Sequence, residues 1–229
     1  MRDKLIIVGT GAIADVIADY LEGTNEYDIE GFSVDKNHIG KALFRSRPVV
    51  PFEKVEQVFP PERYKMFVAI GYVQLNYLRA RFYTAAKDKG YSLISYVSPH
   101  AYMHHNVVLG DNCFIFENNV LQYDVTLGND VILWSGNHIG HSTILRDHVY
   151  VASHVVISGN CDVGDYTFFG VNAAVADSIE IGKRCVIGMG ANIINNTKDD
   201  QVYVPGKSIN FGTNKLKGDT KQMFCPPEV

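Results

Sequence analysis

Large hydrophobic residues recur at every sixth position through the middle of the chain, without an insertion, from residue 109 to residue 193. An α-helix repeats its buried positions about every 3.6 residues, and a half-buried strand repeats them every second residue, so neither explains this period. We term these residues the anchors, and all are aliphatic except Phe169: Leu109, Ile115, Leu121, Leu127, Leu133, Ile139, Leu145, Val151, Ile157, Val163, Phe169, Val175, Ile181, Ile187 and Ile193.

The positions around each anchor are also restricted in size. The following residue is often small, as at Gly110, Gly128, Gly140, Ala152, Ser158, Gly164, Gly170, Ala176, Gly182 and Gly188. A six-residue period of this kind predicts a parallel β-helix, in which each hexad forms one short strand and one corner. We expect each anchor to point into the coil and the small residue to lie where the backbone turns sharply. The pattern resembles the left-handed hexapeptide-repeat β-helix, which implies three hexads per eighteen-residue coil, with Val97 and Met103 extending the register backward.

Alternating strand and helix patterns precede the repeat. Strand patterns cover residues 5–9, 29–34, 67–72 and 91–97, and helical patterns cover residues 15–21 and 75–89. This alternation predicts a small doubly wound α/β domain over residues 1–97. The β-helix is then expected over residues 98–207, with a C-terminal tail over residues 208–229.

A glycine turn, Gly9-Thr10-Gly11, joins the first predicted strand to the first helix. The backbone N–H groups at such a helix start can hold an anion. Together with Asp35 after the second strand, the turn fits a dinucleotide-binding pattern. The alternative is that the turn only packs, and the small size of the domain counts against a complete dinucleotide fold.

The composition excludes several classes of protein. The 229 residues carry a formal net charge of −4 and show no basic stripe, which argues against nucleic acid as the main partner. No apolar run approaches the roughly 20 residues that span a bilayer. The apolar run at residues 5–9 is too short for a secretory signal, so we expect a cytoplasmic protein. Cys113, Cys161 and Cys185 each lie two residues before an anchor, where a thiol packs as a small hydrophobic group.

An α/β domain followed by an uninterrupted hexapeptide β-helix resembles one bacterial family, the sialic-acid O-acetyltransferases and UDP-4-amino-sugar N-acetyltransferases. The resemblance extends to the glycine turn, to Asp35-Lys36, to Ile70-Gly71 and to Val204-Pro205-Gly206-Lys207, where the family has alanine in place of Gly206. It implies a homotrimer with active sites between neighbours and acetyl-CoA along the β-helix. It also implies a nucleotide-sugar bound by the N-terminal domain, at Gly9, Thr10, Gly11, Asp35, Lys36 and Gly71.

The implied reaction needs a general base, and histidine suits that task near neutral pH. The catalytic histidine of the family aligns best with His141, two residues after the anchor Ile139 and at a predicted corner. His138 is a second candidate, and both histidines could instead be structural. In an eighteen-residue coil, Tyr123 stacks below His141 and Gly159 above it. Gly159 would leave space for the pantetheine arm and offer an N–H to the acetyl oxygen.

One position departs from the family pattern. The amino-sugar enzymes are expected to have an acidic residue directly after the catalytic histidine, and here that residue is Ser142. Asp124 lies one coil below Ser142 and is a candidate to orient the imidazole in its place. The alternative is that Asp124 is only solvated at its corner.

The resemblance places acetyl-CoA in one groove, with Lys207 near the CoA phosphates and no metal. We therefore expect an acetyl-CoA-dependent acetyltransferase that acts by direct attack on an amino group, or alternatively a hydroxyl group, of a nucleotide-linked sugar. A trimeric β-helix that binds nucleotide or acyl-CoA without turnover is the rival interpretation, because a fold alone does not prove catalysis. The residues that the family alignment points to for the groove are Tyr150, Gly159, Val171 and Met189.

Overall fold

A computed structural model describes residues 2–206 of the chain, and its N-terminal part is a parallel sheet flanked by helices. The strand order is β3-β4-β2-β1-β5, and only the β3–β4 pair is antiparallel. Two short 3₁₀ helices cover Lys36–His38 and Phe52–Lys54. The elements are β1 (Asp3–Val8), α1 (Ala12–Gly23), β2 (Tyr27–Val34), β3 (Leu43–Phe44), β4 (Arg47–Pro51), α2 (Val55–Val58), β5 (Lys65–Val68) and α3 (Tyr77–Asp88).

The central strand β1 is buried on both faces of this sheet. Leu5 and Ile7 point into a core that includes α1, whereas Ile6 and Val8 point into a second core on the side of α2 and α3. A strand between two helical layers therefore has a continuous hydrophobic run rather than an alternating one. The predicted doubly wound α/β architecture is confirmed.

The remainder of the described chain is a three-sided parallel β-helix made of two-residue strands. From β6 to β22 each strand pairs with the strand eighteen residues away, as in Val120 with His138 and His138 with Val156, so one coil contains three hexads. The last pair, β21 with β23, is sixteen residues apart. The strands are β6 (Tyr96–Val97), β7 (Tyr102–Met103), β8 (Val108–Leu109), β9 (Phe114–Ile115), β10 (Val120–Leu121), β11 (Thr126–Leu127), β12 (Ile132–Leu133), β13 (His138–Ile139), β14 (Ile144–Leu145), β15 (Tyr150–Val151), β16 (Val156–Ile157), β17 (Asp162–Val163), β18 (Phe168–Phe169), β19 (Ala174–Val175), β20 (Glu180–Ile181), β21 (Val186–Ile187), β22 (Asn192–Ile193) and β23 (Val202–Tyr203).

The three faces of the prism have different surroundings. The docking face, formed by β6, β9, β12, β15, β18, β21 and β23, packs against the N-terminal domain through outward residues such as Phe114 and Ile132. The histidine face contains β7, β10, β13, β16, β19 and β22, and the third face contains β8, β11, β14, β17 and β20. On the histidine face, the outward-pointing residue of β13 is His138.

The anchors fill the interior of the prism as predicted. From Ile115 to Ile193 every anchor is buried and belongs to one continuous core, and Leu109 packs at its end. Strands β6 and β7 end at Val97 and Met103, which confirms the backward extension of the register. Burial of a large aliphatic side chain contributes roughly 1.5–3 kcal/mol, so this repeated ladder is the main source of stability in the β-helix.

The corners differ from the prediction in one detail. The backbone turns three residues after the anchor, where φ is positive at Asn112, Asn118, Asp124 and at most later equivalents. The small residue directly after the anchor serves a different purpose. A Cβ added to Gly164 would lie 2.6 Å from the backbone nitrogen of Lys183 in the next coil, so glycine there allows close stacking of the coils.

The predicted strand over residues 91–97 is largely wrong. Leu93 makes one bridge with Met66 of β5, and the chain then leaves the N-terminal sheet. Residues Tyr96–Val97 pair with β9 and already belong to the docking face. The hydrophobic pattern was correct about burial, but it could not show that half of the segment pairs with a different sheet.

The three internal cysteines are buried and unpaired, as the sequence predicted. All three belong to the core of the prism, and burial raises the pKa of the Cys113 thiol to about 12. Cys225 lies outside the described residues. Within residues 2–206, no helix combines the length and the hydrophobicity that crossing a bilayer would require.

Candidate functional site

A cavity in the N-terminal domain opens where the strands of the parallel sheet end. This is the edge at which open α/β sheets bind their ligands. The cavity is lined by Gly9, Thr10, Gly11, Asp35 and Gly71, which the sequence analysis singled out, and also by Val8, Ile13, Val34, His38, Ala69, Ile70, Val73, Leu78 and Phe82.

The two glycines of the first turn serve different purposes. Gly9 has a φ of +122°, and a Cβ there would lie 2.6 Å from the carbonyl oxygen of Ala69, so only glycine fits. Gly11 precedes α1, and a Cβ there would have no atom within 4 Å. The space in front of Gly11 is therefore open, and no side chain caps the start of α1. An anionic group could approach the positive end of the helix dipole at this point.

Only one of the two residues predicted to bind substrate after β2 lies at the cavity. Asp35 lines the cavity, and its carboxylate accepts a hydrogen bond of 2.6 Å from Arg81 of α3. Lys36 is exposed and does not line the cavity, whereas His38, two residues later, does. The turn of the 3₁₀ helix at Lys36–His38 explains this exchange, because it points successive side chains in different directions.

A second, aromatic groove lies on the β-helix, at the corner between the docking face and the histidine face. It contains three of the four residues expected to bind acetyl-CoA, Tyr150, Val171 and Met189. Tyr72 of the N-terminal domain covers one end, with its ring 5.1 Å from that of Tyr150. The other lining residues are Trp134, Ala152, Ser153, Phe168 and Gly170.

A change of side-chain size along one column of the corner creates this groove. The residues that follow the anchors at successive coils are Phe116, Trp134, Ala152 and Gly170. The two aromatic rings are stacked, with centroids 4.4 Å apart, and they form a wall beside the N-terminal domain. Beyond them the small residues leave space, and the indole of Trp134 donates a hydrogen bond to the hydroxyl of Tyr150. Burial raises the pKa of Tyr150 to about 12, so this hydroxyl stays protonated near neutral pH.

His141 lies at a different corner, between the histidine face and the third face. Its side chain is exposed, and its backbone N–H donates a 3.0 Å hydrogen bond to Oε1 of Gln122. The backbone N–H of Ser142 bonds to Tyr123 in the coil below, and the N–H of Asn160 bonds to His141 from the coil above. These bonds place Tyr123 and Gly159 on either side of His141 in the stack.

Gly159 leaves the space that the imidazole occupies. A Cβ at Gly159 would lie 2.6 Å from both Cε1 and Nε2 of His141, and 3.0 Å from Oδ1 of Asp177. The imidazole and the Asp177 carboxylate therefore border the same small space beside Gly159. Among the described residues, the N–H of Gly159 donates to no hydrogen-bond acceptor. Asp177 was not among the predicted site residues, although its position thirty-six residues after His141 places it two coils above.

The structure does not bring Asp124 to the imidazole of His141. In the described part of the chain no hydrogen bond joins the two side chains, and Asp124 is exposed at its own corner with a φ of +59°. Its backbone N–H bonds to Asn106 in the coil below. His138 points outward from the histidine face and is half-buried. Lys207 lies outside the described residues.

The aromatic groove and His141 lie along opposite edges of the histidine face. Gly159 shares the corner of His141, so it is separated from the other three residues expected to bind acetyl-CoA. The outward side of this face is largely hydrophobic. It consists of Tyr102, Val120, His138, Val156, Ala174 and Asn192, of which Tyr102 is 58% and Val156 44% exposed. A single chain therefore presents the two groups apart, with an apolar surface between them.

Comparisons with known proteins agree with this architecture. Residues 4–86 match the family model of the PglD N-terminal domain. The acetyltransferase domain of PglB from Neisseria gonorrhoeae FA1090, solved with acetyl coenzyme A, is 21% identical, with a TM-score of 0.79 over 88% of this chain and 96% of that one. A sequence comparison with curated proteins gives no match.

Two further solved structures show the same arrangement. PerB from Caulobacter crescentus, in complex with CoA and GDP-perosamine, is 24% identical, with a TM-score of 0.78 over 90% of this chain and 97% of that one. WeeI from Acinetobacter baumannii AYE is 16% identical, with a TM-score of 0.78 over 89% and 97%. At these identities the neighbours establish the fold. The predicted resemblance, an α/β domain followed by a hexapeptide β-helix, is confirmed.

Proposed function

We propose that this protein transfers an acetyl group from acetyl-CoA to an amino group of a nucleotide-linked sugar. The observation that carries the proposal is the exposed imidazole of His141 beside Gly159, on a β-helix attached to a domain with a cavity at its glycine turn. Solved proteins of this architecture bind acetyl coenzyme A in one case, and CoA with GDP-perosamine in another. An amino sugar is therefore favoured over a hydroxyl acceptor.

The N-terminal cavity would hold the nucleotide part of the substrate. Its floor is apolar, which suits a base, and the uncapped start of α1 at Gly11 suits a phosphate. Asp35, held by Arg81, would then supply an acceptor at the cavity wall. Lys36 has no part in this assignment, because its side chain does not line the cavity, and His38 takes its place.

The reaction would proceed in one ternary complex. The amine nitrogen attacks the carbonyl carbon of the thioester, Nε2 of His141 accepts the proton, and the bond between carbonyl carbon and sulfur breaks to release CoA. The N–H of Gly159, which has no acceptor among the described residues, would stabilise the charge on the acetyl oxygen. The buried thiols, with Cys113 at a raised pKa, are poor candidates for a covalent carrier.

The active site would be assembled from two copies of the chain in a homotrimer. His141 lies on one edge of the apolar histidine face, and the groove of Tyr150, Val171 and Met189 lies on the other. Packing of this face between neighbours would bury Tyr102 and Val156 and bring the imidazole of one copy to the groove of the next. Closed rings of identical subunits use such head-to-tail contacts.

Release of free thiol tests the proposal. The protein would be incubated with acetyl-CoA and UDP-, dTDP- or GDP-linked amino sugars, with a matched hydroxyl sugar as the O-acetylation arm. His141→Ala is expected to lower the rate by roughly 10²–10⁴-fold, the usual contribution of a general base. His105→Ala is the control, because His105 occupies the same corner column two coils below.

The outcomes separate the interpretations. Thiol release only with the hydroxyl sugar would make the protein an O-acetyltransferase. Thermal stabilisation by ligands without thiol release would make it a non-catalytic binder. Equal activity of the His141→Ala and His105→Ala variants would remove His141 as the base.

A further inference from the structure

One segment of the N-terminal domain, residues 71–76, borders both cavities. Gly71 and Val73 line the N-terminal cavity, and Tyr72 between them lines the aromatic groove. The ring of Tyr72 contacts the rings of Tyr150 and Phe168, with centroids 5.1 Å and 4.9 Å away. A ligand in either cavity would touch this segment, so its position affects both.

The backbone of this segment does not hold its conformation by itself. Gln74, Leu75 and Asn76 are consecutive and have φ values of 53°, 49° and 66°, in the left-handed region that non-glycine residues avoid. Leucine in particular rarely adopts it. Strain of this kind persists only where the surroundings fix the chain.

Arg79, in the first turn of α3, makes the contacts that fix it. Its Nη1 donates to the side-chain oxygen of Asn76 at 3.2 Å and lies 3.5 Å from the carbonyl oxygen of Gly71, at the two ends of the segment. Its Nη2 donates to the carbonyl oxygens of Asp130 at 3.0 Å and His148 at 3.1 Å, both in the β-helix. Arg79 is fully buried, so these contacts are shielded from water.

The carboxylate that neutralises Arg79 is itself held from several sides. Nε of Arg79 lies 3.1 Å from Oδ2 of Asp130, and both side chains are fully buried. Nδ1 of His148 shares Oδ2 at 2.8 Å, and the amide of Asn112 donates to Oδ1 at 2.7 Å. The amide of Asn76 also donates to the carbonyl oxygen of Tyr166 at 3.1 Å. The β-helix, which also contains the aromatic groove, therefore holds the segment in place.

We propose that Arg79 is a positioning residue, which sets Tyr72 at the junction of the two cavities and so fixes the geometry in which both substrates bind. The inference rests on the proposed function, since it concerns the same site. Arg79 does not touch either substrate in this proposal. It acts through the carbonyl group of Gly71 and the amide of Asn76.

Two variants test this role by steady-state kinetics of thiol release. Arg79→Lys keeps the positive charge but cannot reach Gly71, Asn76 and Asp130 together, because lysine lacks the planar fork of arginine. Asn76→Gly keeps the left-handed backbone and the buried ion pair, and it removes only the side-chain contacts of Asn76. Each variant is expected to raise KM roughly tenfold for both acetyl-CoA and the nucleotide-sugar, since small misplacements have large effects on such sites.

Lys87→Met is the matched control. Lys87 lies on the same helix and forms an exposed ion pair of 2.5 Å with Asp111 of the β-helix, so its loss weakens domain docking without touching the segment. Both KM values are expected to stay within about twofold of wild type. A merely structural role for Arg79 would lower the folded fraction and the apparent kcat, with both KM values unchanged.

The results decide between these roles. If Arg79→Lys does not fold, Asn76→Gly decides, and unchanged KM values in that variant overturn the proposal. A rise in KM for one substrate alone would also overturn it. If the wild-type protein releases no thiol, the proposed function has failed. Calorimetric dissociation constants for CoA and the nucleotide then replace KM, and the same comparison of variants applies.

Discussion

The N-terminal domain and the β-helix differ in how much of a site one chain can supply. The N-terminal cavity is formed by residues of one chain, with its glycine turn, Asp35 and Gly71 around one space. The β-helix instead presents His141 at one corner and the aromatic groove at another. A doubly wound sheet gathers the ends of its strands at one edge, whereas a prism distributes its corners around an axis. On the proposed function, nucleotide-sugar binding would need one chain and the reaction would need two.

The variant with the largest expected effect separates nucleotide-sugar binding from acetyl transfer. Val156→Glu places a charge in the middle of the apolar histidine face, so we expect monomers and a loss of transfer by roughly 100-fold or more, because the base is no longer supplied to the groove. The dissociation constant of the nucleotide-sugar, measured by calorimetry, is expected to stay within about threefold of wild type. Light scattering reports the assembly state.

The control for this variant is Val58→Glu, at an exposed position of the N-terminal domain. It should leave both assembly and transfer unchanged. A monomeric Val156→Glu protein that still transfers acetyl groups would contradict the two-chain site.

A pair of glycine substitutions sharpens the comparison in terms of stability. Gly164→Ala would force a Cβ to within 2.6 Å of backbone in the next coil, and we expect a loss of about 1–3 kcal/mol in the free energy of unfolding. Gly23→Ala, at the end of α1, meets no atom within 4 Å and should be neutral or stabilising by about 0.5–1 kcal/mol. Urea unfolding followed by circular dichroism measures both. Equal effects would show that close coil stacking is unimportant.

Alkaline pH should destabilise the contact between the two regions. A hydrogen bond to Glu117 raises the pKa of Tyr20 to about 12, and burial raises that of Tyr150 to about 12. A folded pKa above the unfolded value of about 10 means that the stabilisation is complete below pH 10 and declines as pH rises toward 12. Thermal unfolding scans from pH 8 to pH 11.5 should show this decline. Tyr150→Phe should make it shallower, and an unchanged profile would contradict the assignment.

The smallest expected effect concerns the thiols of the β-helix. Cys113, Cys161 and Cys185 are buried, and burial raises the pKa of Cys113 and Cys161. Alkylation of the native protein should leave their peptides unmodified by mass spectrometry, with full transfer activity, since the reactive species is the thiolate. Labelling of any of the three together with loss of activity would favour a covalent intermediate over direct attack.

The parts that the sequence predicted well are those set by contacts that repeat. Each anchor meets the anchor of the next coil, so one period describes the interior from Ile115 to Ile193. The hairpin of β3 and β4 was missed, because Pro48 and Pro51 interrupt any strand pattern there. The segment over residues 91–97 was placed in the wrong sheet for a related reason. Its hydrophobic pattern predicts that the residues are buried, but it does not identify the strand with which they pair.

The candidate site shows the same division. The glycine turn, Asp35, Gly71, Tyr150, Val171 and Met189 line the two cavities, and they could be singled out from sequence because they follow local motifs or a family alignment. Tyr72, Asp177 and Arg79 could not, since each acts on groups far away in the chain. The expected role of Asp124 depended on the direction of one side chain at a corner, which no periodicity specifies.

By itself, the sequence determined that the chain forms an α/β domain and a three-sided β-helix, and it placed His141 at a corner. It could do so because hexads, glycine turns and strand–helix alternation are properties of neighbouring residues. Only the tertiary structure decided that the apolar face between His141 and the groove is left uncovered by the N-terminal domain, and that buried Arg79 ties the segment between the two cavities to the β-helix. Those relations depend on how the α/β domain docks against the β-helix, and docking is set by buried shape and charge rather than by any period along the chain.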